Sequence, residues 1–438
     1  MKPLQVGLVG FGTVGRGTWD VLRRNEEEIT RRAGRPIRIS WVATRTLDRA
    51  REGLRGIEGV NLTNDPYVVT RHTELDIVCE LIGGVDAARA VVMDAIANRK
   101  HVVTANKELL AHHGTEIFAA AHAQGVMVGF EASVAGGVPI IKALREGLTA
   151  NRIEWIAGII NGTSNFILSE MRERGATFQT VLEEAQARGY AEADPTFDVE
   201  GIDAAHKLTI MSAIAFGVPM QFDKAYAEGI SRLHREDIVY AEELGYRIKL
   251  LGITRRAKDG IELRVHPTLI PTKRLIANVE GAMNAVLVKG DAVGPTLYYG
   301  AGAGAEPTAS AVIADLVDVT RMHTADPEHR VPHLAFQPDQ LTNVPFLPMS
   351  EVETSYYLRM RVDDRPGVLA DIARILADRD ISIDAMIQKE PSEGEYQTDI
   401  ILLTHRSIER QLVDAIDKIE ALPTVRNKVV RIRMEALN

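Results

Sequence analysis

The chain has one cysteine, Cys79, among 438 residues. An internal disulfide framework is excluded, and so sparse a use of thiols fits a reducing compartment. Basic charge is not in excess either: 60 acidic side chains outnumber 51 Lys and Arg, for a net charge of −9 and an isoelectric point near 5.8. That balance argues against nucleic acid or an anionic membrane as partner. No uninterrupted apolar run is long enough to span a bilayer. The start, MKPLQVGLVGFG, passes straight into a strand-like run, without the basic and apolar regions of a signal peptide. The 12 histidines show no HxxxH or similar spacing beside acids, so a catalytic zinc site is not expected. Repeats and low-complexity tracts are lacking too. The expectation left by these absences is a soluble, cytoplasmic protein without membrane or nucleic-acid partners.

What is present begins at the N-terminus. A chain of this length should split into two or three domains. Leu4–Val9 is a short apolar run, followed by Gly10-Phe11-Gly12-Thr13-Val14-Gly15 and a helical pattern through Trp19, Val21 and Leu22. A G-x-G-x-x-G turn between a buried strand and a helix is a dinucleotide-binding context. Gly10 permits the tight turn, Gly12 lets a pyrophosphate approach the backbone, and Gly15 lets helix and strand pack closely. The phosphates would then rest on free N–H groups at the positive helix end. The second strand, Ile37–Ala43, ends in Thr44-Arg45-Thr46. Arg45 stands where a ribose-binding acid is expected, and an Arg there can pair a 2′-phosphate, which favours NADP over NAD. Arg45 can equally be a solvated loop residue, and with Asp48 close by NAD stays open as a cofactor. Further strands are expected at Leu75–Ile82, which ends in Gly83-Gly84, and at His101–Thr104 and Gly125–Ala132, with a helix at Asp86–Asn98. Lys107 falls at the carboxyl end of a strand, where doubly wound sheets place ligands. The alternation implies a mainly parallel, Rossmann-type sheet with right-handed crossovers.

The densest chemistry lies in Gly189–Lys207, GYAEADPTFDVEGIDAAHK. Glu192, Asp194, Asp198, Glu200 and Asp203 precede Lys207, and a helical pattern continues through Leu208 and Ile210. Asp203 and Lys207 share one helix face at i,i+4 spacing, so the carboxylate can hold the ammonium. A positioned Lys among carboxylates can give or take a proton at a reacting oxygen. An arbitrary pair of this kind is more often an exposed salt bridge, but the density of acids and the Pro195 turn favour a site.

From about Arg152 the pattern changes to strands and helices around the polar turn Asn161-Gly162-Thr163-Ser164-Asn165. A glycine-rich turn, Gly300–Gly304, precedes a helix at Thr308–Met322 that should pack back on the first domain. The division read from this is a dinucleotide-binding domain over 1–130 plus about 305–332 and an α+β catalytic and dimerisation domain over 131–304. His333–Ser350 lacks periodicity and reads as part of a linker over 333–352. Over 353–438 the order β-α-β-β-α-β suggests a ferredoxin-like unit.

Several long motifs, in order, make the chain recognisable: VGLVGFGTVG, HVVTANK, EASVAGGVPII, NGTSNFIL, GYAEADPTFDVEGIDAAHKL, GAGAGAEPTASAV and DRPGVLADIA. Over essentially its whole length it resembles monofunctional homoserine dehydrogenase with a C-terminal ACT regulatory domain. The resemblance implies reduction of L-aspartate 4-semialdehyde to L-homoserine with NADPH or NADH, on the route to threonine, methionine and isoleucine. It implies Lys207 as the acid/base and Lys107 as a second lysine beside nicotinamide and substrate. Glu192 and Asp203 match acids that engage the amino acid or fix the lysine, and Asp198 aligns with another substrate-side carboxylate. Gly83, Lys107 and Gly302 join the Gly10–Gly15 turn and Arg45 in the cofactor set. The family also holds a sodium ion, largely through backbone carbonyls, at positions matching Glu131, Val134, Gly136 and Val138. ACT units pair between subunits and bind an amino acid near Asp364–Gly367, which implies threonine as feedback inhibitor and a homodimer or homotetramer.

Two competing readings bear on the same residues. An acylating semialdehyde dehydrogenase needs an exposed thiolate, whereas Cys79 sits inside the apolar run Asp76-Ile77-Val78-Cys79, where buried packing is the better reading. An amino-acid sensor with a silent dehydrogenase body would be expected to have lost the glycines, lysines or acids first, and all are intact.

Overall fold

The computed structural model describes residues 2–390 and 395–438. Six short segments form one sheet: β1 (Leu4–Val9), β2 (Ile37–Ala43), β3 (Asn61–Thr63), β4 (Ile77–Glu80), β5 (His101–Thr104) and β6 (Val128–Gly129). Their spatial order is β3-β2-β1-β4-β5-β6, and every neighbouring pair is parallel. The order turns back between β1 and β4, which makes that crevice the topological switch point of a doubly wound sheet. Leu4, Val6, Leu8, Ile77, Val78, Val102 and Val103 are all buried, as expected when helices cover both faces.

One covering helix comes from far along the chain. Val312, Leu316 and Val319 of the helix Ala305–Met322 share an apolar cluster with Trp19 and Leu22 of the helix Thr13–Arg24 and with Leu4 and Val6 of β1. Gly17 permits the approach, since a Cβ there would lie 2.6 Å from the Ala305 carbonyl oxygen.

The strand expected over Gly125–Ala132 is cut to the two residues of β6, and Glu131–Ser133 forms a 3₁₀ turn. The cause is local. The Glu131 N–H donates to Asp315 Oδ2 (2.8 Å), and its carboxylate accepts from the Ile141 and Lys142 N–H groups at 2.9 and 2.8 Å. These bonds draw the backbone away from the sheet direction.

Contacts divide the chain into two compact units that cut across the serial boundaries at 131 and 304. The first comprises residues up to 162 with 203–225 and 282–344. Besides the parallel sheet it holds the strands Ile153–Ile159, Met283–Gly290 and Gly294–Ala301, antiparallel with Met283–Gly290 in the middle. It also holds the helix Ile202–Phe216 from Asp203 onward. The aperiodic stretch at 333–350 is packed at its start: the His333 ring stacks on Phe118 at 4.9 Å and its Nε2 accepts from the Val128 N–H.

The second unit comprises 163–202, 226–281 and 345 onward. Its C-terminal part has the order strand Glu353–Asp363, helix Val368–Ala377, strands Ile383–Gln388 and Gln397–Thr404, helix Glu409–Glu420 and strand Val430–Met434. The four strands pair antiparallel with the first and third inside, over a core of Tyr356, Leu358, Ile372, Leu376, Ile400, Leu412 and Ile419. This is the ferredoxin-like arrangement read from the sequence. The last strand also pairs, parallel, with Ile261–Pro271, itself half of a long hairpin with Tyr246–Arg256. Charged side chains are buried along this seam. Arg264 donates to Glu435 (2.5 Å) and Glu262 (3.0 Å), and Arg433 to Glu409 (3.0 Å) and Glu228 (2.7 Å). Such groups are tolerated in the interior only when paired. Among the described residues no helix is long and apolar enough to cross a membrane.

Candidate active site

The glycine-rich turn follows β1 at the switch point. Gly10 has φ +107, and a Cβ there would lie 2.5 Å from the Leu81 carbonyl oxygen. A Cβ on Gly15 would lie 2.2 Å from the carbonyl oxygen of Gly10, whereas one on Gly12 would meet nothing within 4 Å. Packing thus dictates Gly10 and Gly15, and Gly12 opens onto free space. The helix Thr13–Arg24 starts after Gly12 without a side-chain cap, so its first N–H groups, those of Thr13 and Val14, are available to an anion. Phe11 packs against the apolar cluster below. The Gly10 N–H donates to the Ala43 carbonyl (2.9 Å), which brings the end of β2, and the exposed Arg45 just beyond it, beside the turn. Asp48 pairs with Arg51 at 2.9 Å.

The loop after β4 carries Gly83 and Gly84 at φ +71 and +72, both with open space where a Cβ would stand. Asn106 ties this loop down. Its Nδ2 donates to the Gly84 carbonyl (2.7 Å), and its Oδ1 caps the helix Lys107–Gln124 by accepting from the Leu109 N–H (3.0 Å). Behind them Thr104 Oγ1 donates to Glu80 Oε2 (2.6 Å) and accepts from the Asn106 N–H (3.0 Å).

Three sequence-predicted residues converge in the first unit. Asp203 and Lys207 lie one turn apart, and Lys207 Nζ donates to Asp203 Oδ2 (2.7 Å) and to the Ile160 carbonyl (2.8 Å). Asn161 Nδ2 donates to the same carboxylate oxygen at 2.9 Å. Lys107, the first residue of its helix, puts Nζ 3.4 Å from Asp203 Oδ1. One buried carboxylate therefore bridges two ammonium groups from distant parts of the chain. Burial pushes the Asp203 carboxyl pKa up, but the charges of Lys207 and Lys107 and the bonds from Lys207 and Asn161 outweigh it and hold it at about 2. The Lys207 side chain is 12% exposed and that of Lys107 38%. Beside them His206 is buried, and burial, then His112, lower it to about 4. Its ring packs 4.3 Å from Phe222 and 5.4 Å from His112. The arrangement can pass a proton to or from a reacting oxygen while a fixed anion keeps the two cations together.

The Glu131–Val138 turn is buried, with Ala135 and Gly136 at φ +55 and +51. A Cβ on Gly136 would stand 2.6 Å from the Gly302 carbonyl, so the Gly136 and Gly302 positions meet. The Asn284 side chain packs on Gly302; it is 1% exposed and finds no hydrogen-bond partner among the described residues. No cluster of three or more His, Cys, Asp or Glu suited to a metal occurs among the described residues.

Glu192 and Asp198 belong to the second unit. Glu192 is exposed, with its carbonyl accepting from Gln186 Nε2 (3.0 Å), and Asp198 is half-buried, with its carbonyl accepting from Ser164 Oγ (2.9 Å). Cys79 is fully buried in β4, and burial pushes its thiol pKa far up, so it has no nucleophile's character. Sequence reasoning gave no role to Asn161, although its donor-rich turn was visible. Glu80 has no role in that reading either, and its signal is a lone acid inside the apolar run Ile77–Ile82.

Family models match three stretches: homoserine dehydrogenase, NAD binding domain, over 10–131; homoserine dehydrogenase over 139–317; and the ACT domain over 356–424. The homoserine dehydrogenase of Pseudomonas aeruginosa is 62% identical over all of both chains. The crystal structure of a homoserine dehydrogenase from Thiobacillus denitrificans is 72% identical, with a TM-score of 0.95, and covers 100% of this chain and 99% of its own. A hyperthermophilic archaeal homoserine dehydrogenase in complex with NADPH is 25% identical, with a TM-score of 0.63, over 73% of this chain and 98% of its own.

Proposed function

The chain belongs to the homoserine dehydrogenase family, NAD(P)-dependent oxidoreductases that interconvert L-aspartate 4-semialdehyde and L-homoserine, and we propose how its residues divide that work. When bound, the reduced nicotinamide supplies a hydride to the aldehyde carbon. Lys207 gives the proton that the carbonyl oxygen takes as it becomes an alkoxide. Two of its three N–H donors are engaged by Asp203 and Ile160, which leaves one for the substrate. Lys107, more exposed and 3.4 Å from Asp203 Oδ1, orients the substrate and polarises its carbonyl. Asp203 is the positioning residue for both lysines, and Glu192 and Asp198 engage the amino-acid end of the substrate.

The single observation that carries this reading is the Asp203 carboxylate shared between Lys207 and Lys107. The test is NADPH oxidation with L-aspartate 4-semialdehyde. Lys207→Ala should lower kcat by roughly 10²- to 10⁴-fold, the range of a lost general acid, with the fold retained. Near-native turnover in that variant would overturn the assignment.

The Gly10–Gly15 turn would hold the pyrophosphate, and Gly83 and Gly302 would line the cofactor further along. Arg45, exposed at the end of β2, favours NADP over NAD through the 2′-phosphate. The carbonyls of Glu131, Val134, Gly136 and Val138 in the Glu131–Val138 turn would hold a monovalent cation, sodium. The Glu131 carboxylate is occupied by backbone donors, so carbonyl oxygens are what the turn can offer, and the orphaned carboxamide of Asn284 lies close by. Threonine acts at the ACT domain near Asp364–Gly367 as feedback inhibitor, and the chain assembles as a homodimer or homotetramer in the cytoplasm.

A further inference from the structure

We infer that Glu80 is a positioning residue that locks the cofactor-facing loop at Gly83–Gly84 to the helix that begins with Lys107. The inference rests on the reading that this loop lines the cofactor. Glu80 ends β4, immediately beside the switch point, and is fully buried. Its carboxyl group is met by donors from both sides. Oε1 accepts from the Ile82 N–H (2.9 Å) and Oε2 from Thr104 Oγ1 (2.6 Å). A group surrounded by donors serves as an acceptor on every side.

Ile82 and Thr104, the two residues that Glu80 grips, lead into the loop and into the helix start. Ile82 and Gly83 lead the loop into consecutive left-handed residues, a path that little else in the loop enforces, since Gly83 and Gly84 meet no neighbouring atom where side chains would be. Asn106 closes the other side by bonding Gly84 and capping the helix whose first residue is Lys107. Thr104 links the two halves, giving its hydroxyl proton to Glu80 and accepting the Asn106 N–H. Loop and lysine therefore share one anchor. Without it the loop loses its restraint, and the helix start loses the geometry of its cap.

Glu80→Gln keeps the shape but places an amide N–H₂ among N–H and O–H donors. The expected result is a rise of roughly tenfold or more in the Kd of NADP⁺ and NADPH, by fluorescence titration of the folded protein, the scale of a lost hydrogen bond to a charged group. kcat should fall as well, because the helix start that carries Lys107 loses the geometry of its cap. Thr104→Val, which keeps a β-branched side chain in β5, should reproduce the effect in weaker form, and it carries the test if Glu80→Gln does not fold. A fall in thermal stability with both cofactor Kd values and kcat unchanged in these variants would overturn the inference. A Gly12→Asp control separates the two levels. Lost cofactor binding there, beside normal binding in the Glu80 and Thr104 variants, sinks the role of Glu80 alone. Retained binding in Gly12→Asp sinks the cofactor reading on which that role stands.

Discussion

Replacing Asp203 by Asn removes one charge from the centre of the lysine pair and leaves its shape. The consequence for stability can be worked from the structure. In the folded protein the carboxyl titrates at about 2 against 3.8 for the free group. That gap corresponds to about 2 kcal/mol of folding free energy near neutral pH. Because the folded value is depressed, the contribution is present in full above 3.8 and is lost as pH falls through about 2. At pH 3 about half should remain, on the order of 1 kcal/mol. Asp203→Asn should therefore be less stable than the wild type by about 2 kcal/mol at pH 7, and the difference should shrink by about 1 kcal/mol at pH 3. Carboxylates elsewhere cancel in the comparison. The assay is urea unfolding followed by tryptophan fluorescence, and the chain suits it: Trp19, Trp41 and Trp155 are its three tryptophans, and all lie in the same compact unit as Asp203. A stability difference equal at pH 7 and pH 3 would refute the claim that the Asp203 charge is held by the lysines.

Other outcomes follow from the same geometry. Arg45→Ala should reduce the preference for NADPH over NADH by roughly tenfold or more, the value of a charge-assisted contact to the 2′-phosphate; equal kcat/KM ratios before and after would remove Arg45 from cofactor choice. Gly10→Ala forces a side chain into a left-handed residue against the Leu81 backbone, which should cost about 1–3 kcal/mol and raise the cofactor KM in steady-state assays. Cys79→Ala should cost about 1 kcal/mol of core packing and leave kcat unchanged, and iodoacetamide should not inactivate the native enzyme; rapid inactivation would contradict a buried thiol. Threonine titrated into the reaction should inhibit, and Gly367→Val, at a residue with φ +97, should weaken that inhibition by disturbing the ligand loop.

Local patterns made much of this architecture legible. The β1 strand with its glycines predicts the nucleotide fold because each glycine has one mechanical reason to be there, and the i,i+4 spacing of Asp203 and Lys207 delivers the pair found. Long-range placement was not legible from physics alone. Lys107 and Asp203 meet across distant chain segments, and no periodicity announces that. The strand expected at Gly125–Ala132 stops early because Asp315, far along the chain, captures the Glu131 N–H. Glu80 is one residue within the strand expected at Leu75–Ile82, and only the structure shows Thr104 and Ile82 converging on it. Non-local hydrogen bonds decide these cases, and a sequence window cannot contain them.

The buried ions between the final strand and the Ile261–Pro271 hairpin bear on how this enzyme can be re-engineered. Regulatory tails are attractive modules to delete or exchange, and residue 352 looks like a natural place to cut. Such a cut would take away Glu435 and leave Arg264 with only part of its counter-charge. It would also strip the partner strand from Ile261–Pro271, creating a free edge able to recruit other strands. A tail transplant would need to bring its own equivalents of Glu435 and Arg433, or be accompanied by neutral, apolar replacements at Arg264, Glu262 and Glu228.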